Sequence, residues 1–181
     1  MNFHIRKLEV AEIAGIGRID NSDVVDARYV CRRQPHGLGL TLQRQEVRPP
    51  EQEPTWGQEE LRGRFTLWKR NCQEGAVFFG AFLRGALVGV SLVTKLADGA
   101  TGELYSLHVD RQHRRQGVGT ALLDAAEAQG KAWCCRRLLV YTGLKASSLD
   151  FYRSRGYQVV GIQDPRVKTK NFDLTLVKEF Q

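Results

Sequence analysis

The segment ELYSLHVDRQHRRQGVGTALLDAAEA, residues 103–128, is the part of this chain that the rest is built around. Residues 103–109 read as a strand and lead through a short basic turn, residues 110–116, into a glycine-containing segment and a helical pattern. Apolar and small residues then recur at the i, i+3, i+4, i+7 and i+11 spacing of one helix face, in a segment rich in Ala and Leu. These positions are Val118, Ala121, Leu122, Ala125 and Gln129. The order predicted is therefore strand, basic turn, helix.

The turn between strand and helix has the properties of an anion site. Gly117 and Gly119 carry no Cβ, so a ligand can approach the backbone closely there. The first N–H groups of a helix have no partners inside it, and the helix dipole places partial positive charge at the same end. A phosphate suits such a position. Three cations, Arg111, Arg114 and Arg115, precede the helix and favour a ligand with more than one phosphate.

Two common phosphate motifs are excluded by single positions. The dinucleotide fingerprint GxGxxG would need glycine at position 122, which is Leu122. The nucleotide P-loop would need a lysine followed by Ser or Thr after the second glycine, and Thr120 and Ala121 stand there instead.

Two segments together resemble one known family. The segment RRQGVG, residues 114–119, resembles the acetyl-CoA motif (Q/R)-x-x-G-x-(G/A) of the GNAT superfamily of N-acetyltransferases, which follows a central strand and opens a helix. Downstream, LDFYRSRGY, residues 149–157, resembles the FYxxxGF signature of the same superfamily at the expected spacing. The resemblance extends from Ala76 to about Gly161, and the N-terminal part is also faintly similar to streptothricin-type acetyltransferases.

The resemblance implies an α/β fold in a single domain, residues 1–181. Residues 1–75 would form an acceptor-side region and residues 76–181 the acetyl-CoA-binding core. The sheet would be mixed and mostly antiparallel, flanked by helices. A splayed parallel pair, residues 103–109 and 138–142, would hold the pantetheine.

The remaining elements follow from pattern. We expect a first strand at 3–10, a short helical stripe through Ile13, Ile16 and Ile19, and a second short helix capped at Asn21 or Ser22 and ending at Cys31. Further expectations are a strand at 38–47, a proline-rich loop at 48–57, a helix around 61–72, a β-hairpin at 76–82 and 86–96, a helix at 145–155, and strands at 157–162 and 172–180.

The resemblance also implies roles for named residues. Glu103 stands at the position of a frequent general base, and Tyr152 at that of the tyrosine that serves as general acid. Strand alternation places Glu103 on one face with Leu107 and Val109, and His108, an alternative base, on the other. Backbone N–H at the Val109 end would meet the thioester oxygen. The implied acetyl-CoA contacts are Leu107, His108, Val109, Arg114, Arg115, Gln116, Gly117, Val118, Gly119, Thr120, Lys145 and Ser147; Lys145 stands where the family commonly has Asn.

Composition limits the remaining possibilities. The net charge of +7 could indicate nucleic acid, but the basic clusters at 111–115, 131–137 and 166–170 lie in the half that carries the anion site, and CoA is itself a polyanion. We therefore do not expect nucleic-acid binding. The four cysteines show no metal-ligand spacing, so no metal is expected. The apolar runs are shorter than a membrane span and the N-terminus lacks a signal-peptide core, so a cytoplasmic protein without membrane partners is expected.

These observations lead to one preferred function and two alternatives. The preferred function is acetyl-CoA-dependent acetylation of a primary amine on a small cationic molecule by direct transfer, with antibiotic resistance as one biological setting. An acidic island, Glu46, Glu51, Glu53, Glu59 and Glu60, is either a solvated surface or a lip that attracts the amine. The alternatives are acetylation of a protein lysine or N-terminus and a non-catalytic acyl-CoA-binding module. A homodimer through exposed strand edges is left open.

Overall fold

The computed structural model describes residues 3–33, 39–162 and 174–180. The basic run at 166–170 and the first residues of the expected terminal strand lie outside these ranges. The described residues form two compact units. The first contains the chain up to Ser22, Pro54–Val140 and the chain from Glu179, and the second contains Asp23–Glu53 and Tyr141–Lys178.

Nine strands and three α-helices are present in the described residues. In chain order they are β1 (His4–Lys7), β2 (Asp23–Arg33), β3 (Leu40–Glu53), α1 (Gln58–Gln73), β4 (Val77–Leu83), β5 (Ala86–Lys95), β6 (Thr101–Val109), α2 (Val118–Ala132), β7 (Arg137–Thr142), α3 (Ala146–Ser154), β8 (Gln158–Ile162) and β9 (Leu174–Glu179). Two 3₁₀ helices cover Val10–Arg18 and Arg111–His113. None of the helices in the described ranges is both long and apolar enough to cross a membrane.

The first unit is built on strands in the order β1-β4-β5-β6-β7. Neighbours are antiparallel except β6 and β7, which run parallel with Thr101 opposite Arg137 and Leu104 opposite Val140. A crossover that joins two parallel strands needs a dozen or more residues. The basic turn and α2 supply that crossover.

The two faces of this sheet have separate cores. On one face, the first 3₁₀ helix and α1 bury a cluster that includes Ile13, Trp68 and Phe78. On the other face α2 buries Leu122 and Leu123, both fully inaccessible to solvent. The 3.6-residue period of α2 places Val118, Leu122, Leu123 and Ala126 on its buried side, so the helix is confirmed but its predicted face is not, since Ala121, Ala125 and Gln129 are only partly buried.

The second unit contains an antiparallel ribbon, a short helix and a strand pair. β2 and β3 pair from Asp23 opposite Glu53 to Arg33 opposite Leu40. An isolated antiparallel bridge joins Arg28 of β2 to Lys145, the residue before α3. β8 and β9 pair antiparallel.

Most predicted elements are confirmed, including the mixed α/β fold, the hairpin β4–β5, the β6-turn-α2 unit and the parallel pair. Two predictions in the N-terminal part are wrong. The segment predicted as a helix ending at Cys31 is the strand β2, in which Val25, Ala27 and Tyr29 are buried with the period of two of a strand. The predicted loop at 48–57 is strand as far as Glu53, and its prolines, Pro49 and Pro50, lie in the irregularity between Glu46 and Glu51, where the register records no partner on β2 and proline is tolerated. The division at residue 75 stays a prediction.

Candidate functional site

β6 carries a bulge in the middle of the candidate site. Its register with β5 pairs Leu104 with Val93 and Ser106 with Leu92, which makes Tyr105 the extra residue. Such a bulge breaks the alternation of faces, so residues before and after it must be assigned to faces separately.

The part of β6 after the bulge is assigned from its partners on β5. Val90 belongs to the core cluster on the α1 side, whereas the Ser91 hydroxyl donates to the Leu122 carbonyl oxygen of α2 at 3.1 Å. Directly opposed residues of an antiparallel pair share a face. His108, opposite Val90, therefore faces the α1 side, and Leu107, opposite Ser91, faces α2.

The part before the bulge is assigned in the same way. The Lys95 ammonium donates to the Trp133 carbonyl oxygen at the end of α2, at 2.9 Å, so the preceding residue, Thr94, faces α1. Glu103 is opposite Thr94 and shares its face. Tyr105 also packs against the α1-side cluster.

The predicted assignment of faces on β6 is therefore wrong for the four residues after the bulge, 106–109. Glu103 and His108 share the α1 face instead of lying on opposite faces. Leu107 and Val109 lie on the α2 face instead of beside Glu103. The cause is the extra residue Tyr105, which shifts every later side chain to the other face.

The α1 face of β6 combines polar groups with an aromatic wall. Glu103 is partly buried, and burial first and the Glu103 charge second raise the pKa of Tyr105. The His108 ring meets the Trp56 ring edge to face, with centroids 4.5 Å apart. The Arg64 guanidinium lies 5.0 Å from the centroid of the same Trp56 ring. This face can therefore hold a proton acceptor beside apolar surface.

The pairing of β6 with β7 ends before β6 does. It runs from Thr101 to Leu104, while β6 continues to Val109. Within the described residues, the backbone of 105–109 is therefore not paired with β7 and is available on that edge to a ligand.

The turn before α2 adopts the conformation that the sequence predicts for an anion site. Gly117 is the N-cap residue of α2 with φ of 86°, and Arg115 also has a positive φ of 61°. The first helical hydrogen bond runs from the Ala121 N–H to the Gly117 carbonyl oxygen, 3.0 Å, so the preceding N–H groups of 118–120 have no partner in the helix. Within the ranges that the structure describes, no side chain caps this end, and the first turn of α2 has no acidic residue.

This end of α2 fits a diphosphate. Among the described residues, no heavy atom lies within 4 Å of a Cβ built on Gly117, so the space in front of the turn is open to a ligand there. The N–H groups, the helix dipole and the exposed Arg115 all favour negative charge.

The two other predicted contacts of the turn are engaged with its own backbone. The Arg114 Nε donates to the Val109 carbonyl oxygen at 3.1 Å, and the Gln116 amide nitrogen donates to the Gln112 carbonyl oxygen at 2.9 Å. The first bond connects the turn to the end of β6, and the second closes the turn on itself. Their roles toward a cofactor stay predictions.

Asp110 is a residue of the turn whose role sequence reasoning missed. Its Oδ1 accepts from the Gln112 N–H at 3.0 Å and lies 3.2 Å from the His113 Nδ1, while its Oδ2 accepts from the Asp20 N–H at 3.0 Å. The Arg111 N–H donates to the Asp20 carbonyl oxygen at 2.8 Å. An Asp that follows a strand and precedes a 3₁₀ turn is the signal that could have identified this cap.

In the second unit, α3 carries Tyr152. Its side chain is buried and lies between two aromatic rings, with the centroid of Phe151 at 5.2 Å and that of Tyr157 at 5.6 Å. Burial raises the pKa of Tyr152 far above the ordinary value. The phenol therefore holds its proton at neutral pH. Phe151, in contrast, is only partly buried.

Lys145 and Ser147 lie at the beginning of α3. The Lys145 ammonium is 2.7 Å from the Glu53 Oε2 and 3.4 Å from the Asp23 Oδ2. Ser147 is exposed. The predicted phosphate contact of Lys145 thus competes with two carboxylates that already neutralise the ammonium.

The acidic island is largely neutralised by neighbouring cations. In the second unit Glu46 pairs with Arg48 and Glu51 with Arg28, and in the first unit Glu60 pairs with Arg64. These ion pairs on exposed side chains agree with the interpretation of the acidic island as solvated surface.

In the described residues, no group of three or more His, Cys, Asp or Glu side chains is arranged to hold a metal ion.

Comparison with protein families gives a match over most of the chain. Residues 42–157 match the family model described as "Acetyltransferase (GNAT) family". Among curated proteins, an uncharacterised Bacillus subtilis protein is 31% identical over 108 residues, which is 59% of this chain and 64% of that protein. An Azotobacter vinelandii amino-acid acetyltransferase is 32% identical over 79 residues, which is 44% of this chain but 18% of that protein. The matches thus span less than two thirds of either relative.

Solved structures share the fold over the whole chain. A nourseothricin acetyltransferase superposes with a TM-score of 0.80 at 19% identity, with 99% of both chains covered. A streptothricin acetyltransferase homologue from Bacillus anthracis, solved in complex with acetyl coenzyme A, gives a TM-score of 0.77 at 18% identity, covering 99% of this chain and 100% of that one. At these identities the likeness concerns the fold alone.

Proposed function

The chain belongs to the GNAT acetyltransferase family, and on that premise we propose that it transfers the acetyl group of acetyl-CoA to a primary amine. The acceptor is a small cationic molecule, and the transfer is direct, with acceptor and acetyl-CoA bound together. The location is the cytoplasm, and resistance to an amine-containing antibiotic is one setting for this activity.

The observation that carries the proposal is the turn before α2. Its positive-φ Gly117, open space, uncapped N–H groups and adjacent arginines suit the diphosphate of CoA. Arg115, Gln116 and the backbone of 117–120 are the proposed diphosphate contacts. Arg114 holds the turn against the end of β6. We assign no phosphate to Lys145, because two carboxylates neutralise it.

The open edge of β6 supports a role in binding the rest of the cofactor. Residues 107–109 continue beyond the pairing with β7, so their backbone groups can bond the pantetheine amides. The N–H at the Val109 end is proposed to donate to the thioester oxygen. Acetyl-CoA, when bound, supplies an activated acetyl group and a thiolate leaving group.

Two side chains are proposed for the proton transfers. Glu103, on the α1 face of β6, takes a proton from the acceptor ammonium, directly or through water, which makes the amine nucleophilic. The Tyr152 phenol, kept protonated by burial, donates a proton to the leaving thiolate. His108 shares the face of Glu103 and is the alternative base.

The choice of a small acceptor has two supports. The first is that the fold relatives include enzymes named for streptothricin and nourseothricin. The second is the partly buried carboxylate beside an aromatic wall on the α1 face, which favours a cation over an anion.

Mass spectrometry of the product tests this function. The protein is incubated with acetyl-CoA carrying a ¹³C-labelled acetyl group and a panel of streptothricin, aminoglycosides, polyamines, amino acids and lysine peptides. The proposal predicts labelled acetyl on one class of small amine and none on the peptides.

The other outcomes separate the alternatives. Label on a peptide lysine or N-terminus would replace the small acceptor by a protein. Absence of label on every amine, with acetyl-CoA binding retained by calorimetry, would leave a binding module. Absence of binding would refute the cofactor assignment.

A further inference from the structure

α3 is too short to hold its own position. It has nine residues, Ala146–Ser154, and isolated helices shorter than about 12 to 15 residues are marginal in water. Its placement must therefore come from tertiary contacts. Tyr152, which lies in its second half, depends on the same contacts for its orientation.

The first contact comes from Tyr29 of β2, which makes one hydrogen bond just before α3 and another within it. Its backbone N–H donates to the Leu144 carbonyl oxygen at 2.7 Å, and its hydroxyl donates to the Asp150 Oδ1 at 2.7 Å. The hydrogen bond to Asp150 is the main cause that raises the pKa of Tyr29, with burial second. Tyr29 itself is buried, so it is a rigid point of attachment.

The second contact comes from the far end of the same ribbon. Asp23 and Glu53 are directly opposed on β2 and β3, an arrangement in which two like charges repel. The Lys145 ammonium contacts both carboxylates and offsets this repulsion. Lys145 is also the N-cap residue of α3, since its carbonyl oxygen accepts from the Leu149 N–H at 3.1 Å. The ion pair therefore ties the ribbon to the beginning of the helix.

We propose that Tyr29 and Lys145 are positioning residues that anchor α3 to the β2–β3 ribbon and thereby orient Tyr152. This inference rests on the proposed function for the role of Tyr152, but the anchoring itself does not. Lys145 is thus a structural cation that replaces the family's Asn, and its partner is an acidic strand pair instead of a phosphate.

Hydrogen exchange measures the anchoring without reference to activity. Tyr29→Phe is expected to accelerate exchange of the amides at 149–152 about tenfold, which corresponds to about 1.4 kcal/mol. The Asp150→Leu variant, which removes the acceptor oxygen, should do the same, and the double variant should exchange within about twofold of either single one, because the Tyr29–Asp150 hydrogen bond is lost in all three. Unchanged exchange in Tyr29→Phe, with its fold retained by circular dichroism, would overturn the proposal.

The ion pair of Lys145 is tested with two variants, one that removes the positive charge and one that keeps it. Lys145→Met should accelerate the same amides several-fold and leave acetyl-CoA affinity within about twofold, whereas Lys145→Arg should restore slow exchange. Lys69→Met, an exposed lysine of α1, is the matched control and should change neither quantity. A loss of acetyl-CoA affinity of about tenfold with unchanged exchange would make Lys145 a phosphate ligand and overturn the proposal.

The proposed orientation of Tyr152 is tested by steady-state kinetics, with the acceptor amine that mass spectrometry identifies. Tyr29→Phe and Lys145→Met should lower kcat at least fivefold while the KM for acetyl-CoA changes less than twofold, and Lys145→Arg should recover kcat. Faster exchange with unchanged kcat would refute the orienting role. If the wild-type protein acetylates no amine, the proposed function fails, while the exchange data still decide whether the ribbon anchors α3.

Discussion

Replacing Gly117 by alanine should weaken acetyl-CoA binding. The same substitution at Gly75 is a matched control that separates the effect of backbone strain from the effect on ligand binding. Gly117 has φ of 86° and Gly75, which follows α1, has φ of 96°. A Cβ at either position would meet no heavy atom within 4 Å. The two substitutions therefore impose the same kind of backbone strain without steric clash, and only Gly117 lies at the proposed diphosphate site.

The expected stability loss is similar in both variants. An L-residue in the left-handed region costs about 1 to 2 kcal/mol. For a chain of this size, each kcal/mol lowers the Tm by about 2 to 4 °C. Gly117→Ala and Gly75→Ala should each lower the Tm by about 2 to 8 °C in a thermal denaturation followed by circular dichroism.

The expected binding loss differs. We expect a Cβ at Gly117 to occupy part of the open space proposed for the diphosphate and so to weaken its bonds to the N–H groups of 118–120. Hydrogen bonds to charged groups contribute about 1.5 to 3 kcal/mol, so acetyl-CoA affinity should fall about 10- to 100-fold in Gly117→Ala. In Gly75→Ala it should stay within about twofold. Equal affinities in both variants, measured by calorimetry at a temperature where both are folded, would refute the diphosphate site.

Three further outcomes are expected. Tyr152→Phe should leave acetyl-CoA affinity unchanged and lower kcat about a hundredfold, since it removes only the proton donor. An unchanged kcat in steady-state kinetics would exclude that role. Leu122→Ala should lower the free energy of unfolding, measured in urea, by about 2 to 5 kcal/mol, because the Leu122 side chain of α2 is fully buried against the sheet. The hydrogen bond with Arg6 lowers the pKa of Glu12 from 4.5 to about 2, so the pair stabilises the fold above pH 4.5 and the contribution is lost as pH falls toward 2. An NMR titration should place the Glu12 midpoint near 2, and Arg6→Ala should move it upward.

The unit from β6 to α2 could be predicted from sequence because its signals are local. A strand, a glycine turn and a helix follow one another in a single segment, and the residue pattern of each one predicts its own secondary structure. The glycine turn at Gly117 and the helical conformation of α2 follow from these residues alone, whereas the buried side of α2 is rotated toward Leu123 and Ala126 by its packing on the sheet.

The ribbon β2–β3 could not be predicted because two periods coincide in its sequence. Val24, Ala27 and Cys31 fit one helix face, whereas Val25, Ala27 and Tyr29 fit one strand face. Pairing with a distant segment decides between the two, and that pairing is not visible in β2 itself.

The face carrying Glu103 and His108 was missed for a related reason. The bulge at Tyr105 depends on the register between β5 and β6, which no residue of β6 specifies alone. The anchoring of Lys145 likewise depends on two carboxylates that are distant in sequence, Asp23 and Glu53.

CoA release shows whether this chain acetylates an amine and whether Glu103 is the base, as we propose. The thiol is followed with a chromogenic reagent at neutral pH for the wild-type protein, Glu103→Gln, His108→Gln and the exposed control Glu74→Gln, each with the acceptor panel. We predict amine-dependent release that falls about a hundredfold or more in Glu103→Gln and stays near the wild-type rate in Glu74→Gln. Release at the wild-type rate in Glu103→Gln would contradict the assignment of the base, and a loss in His108→Gln instead would transfer that role to His108.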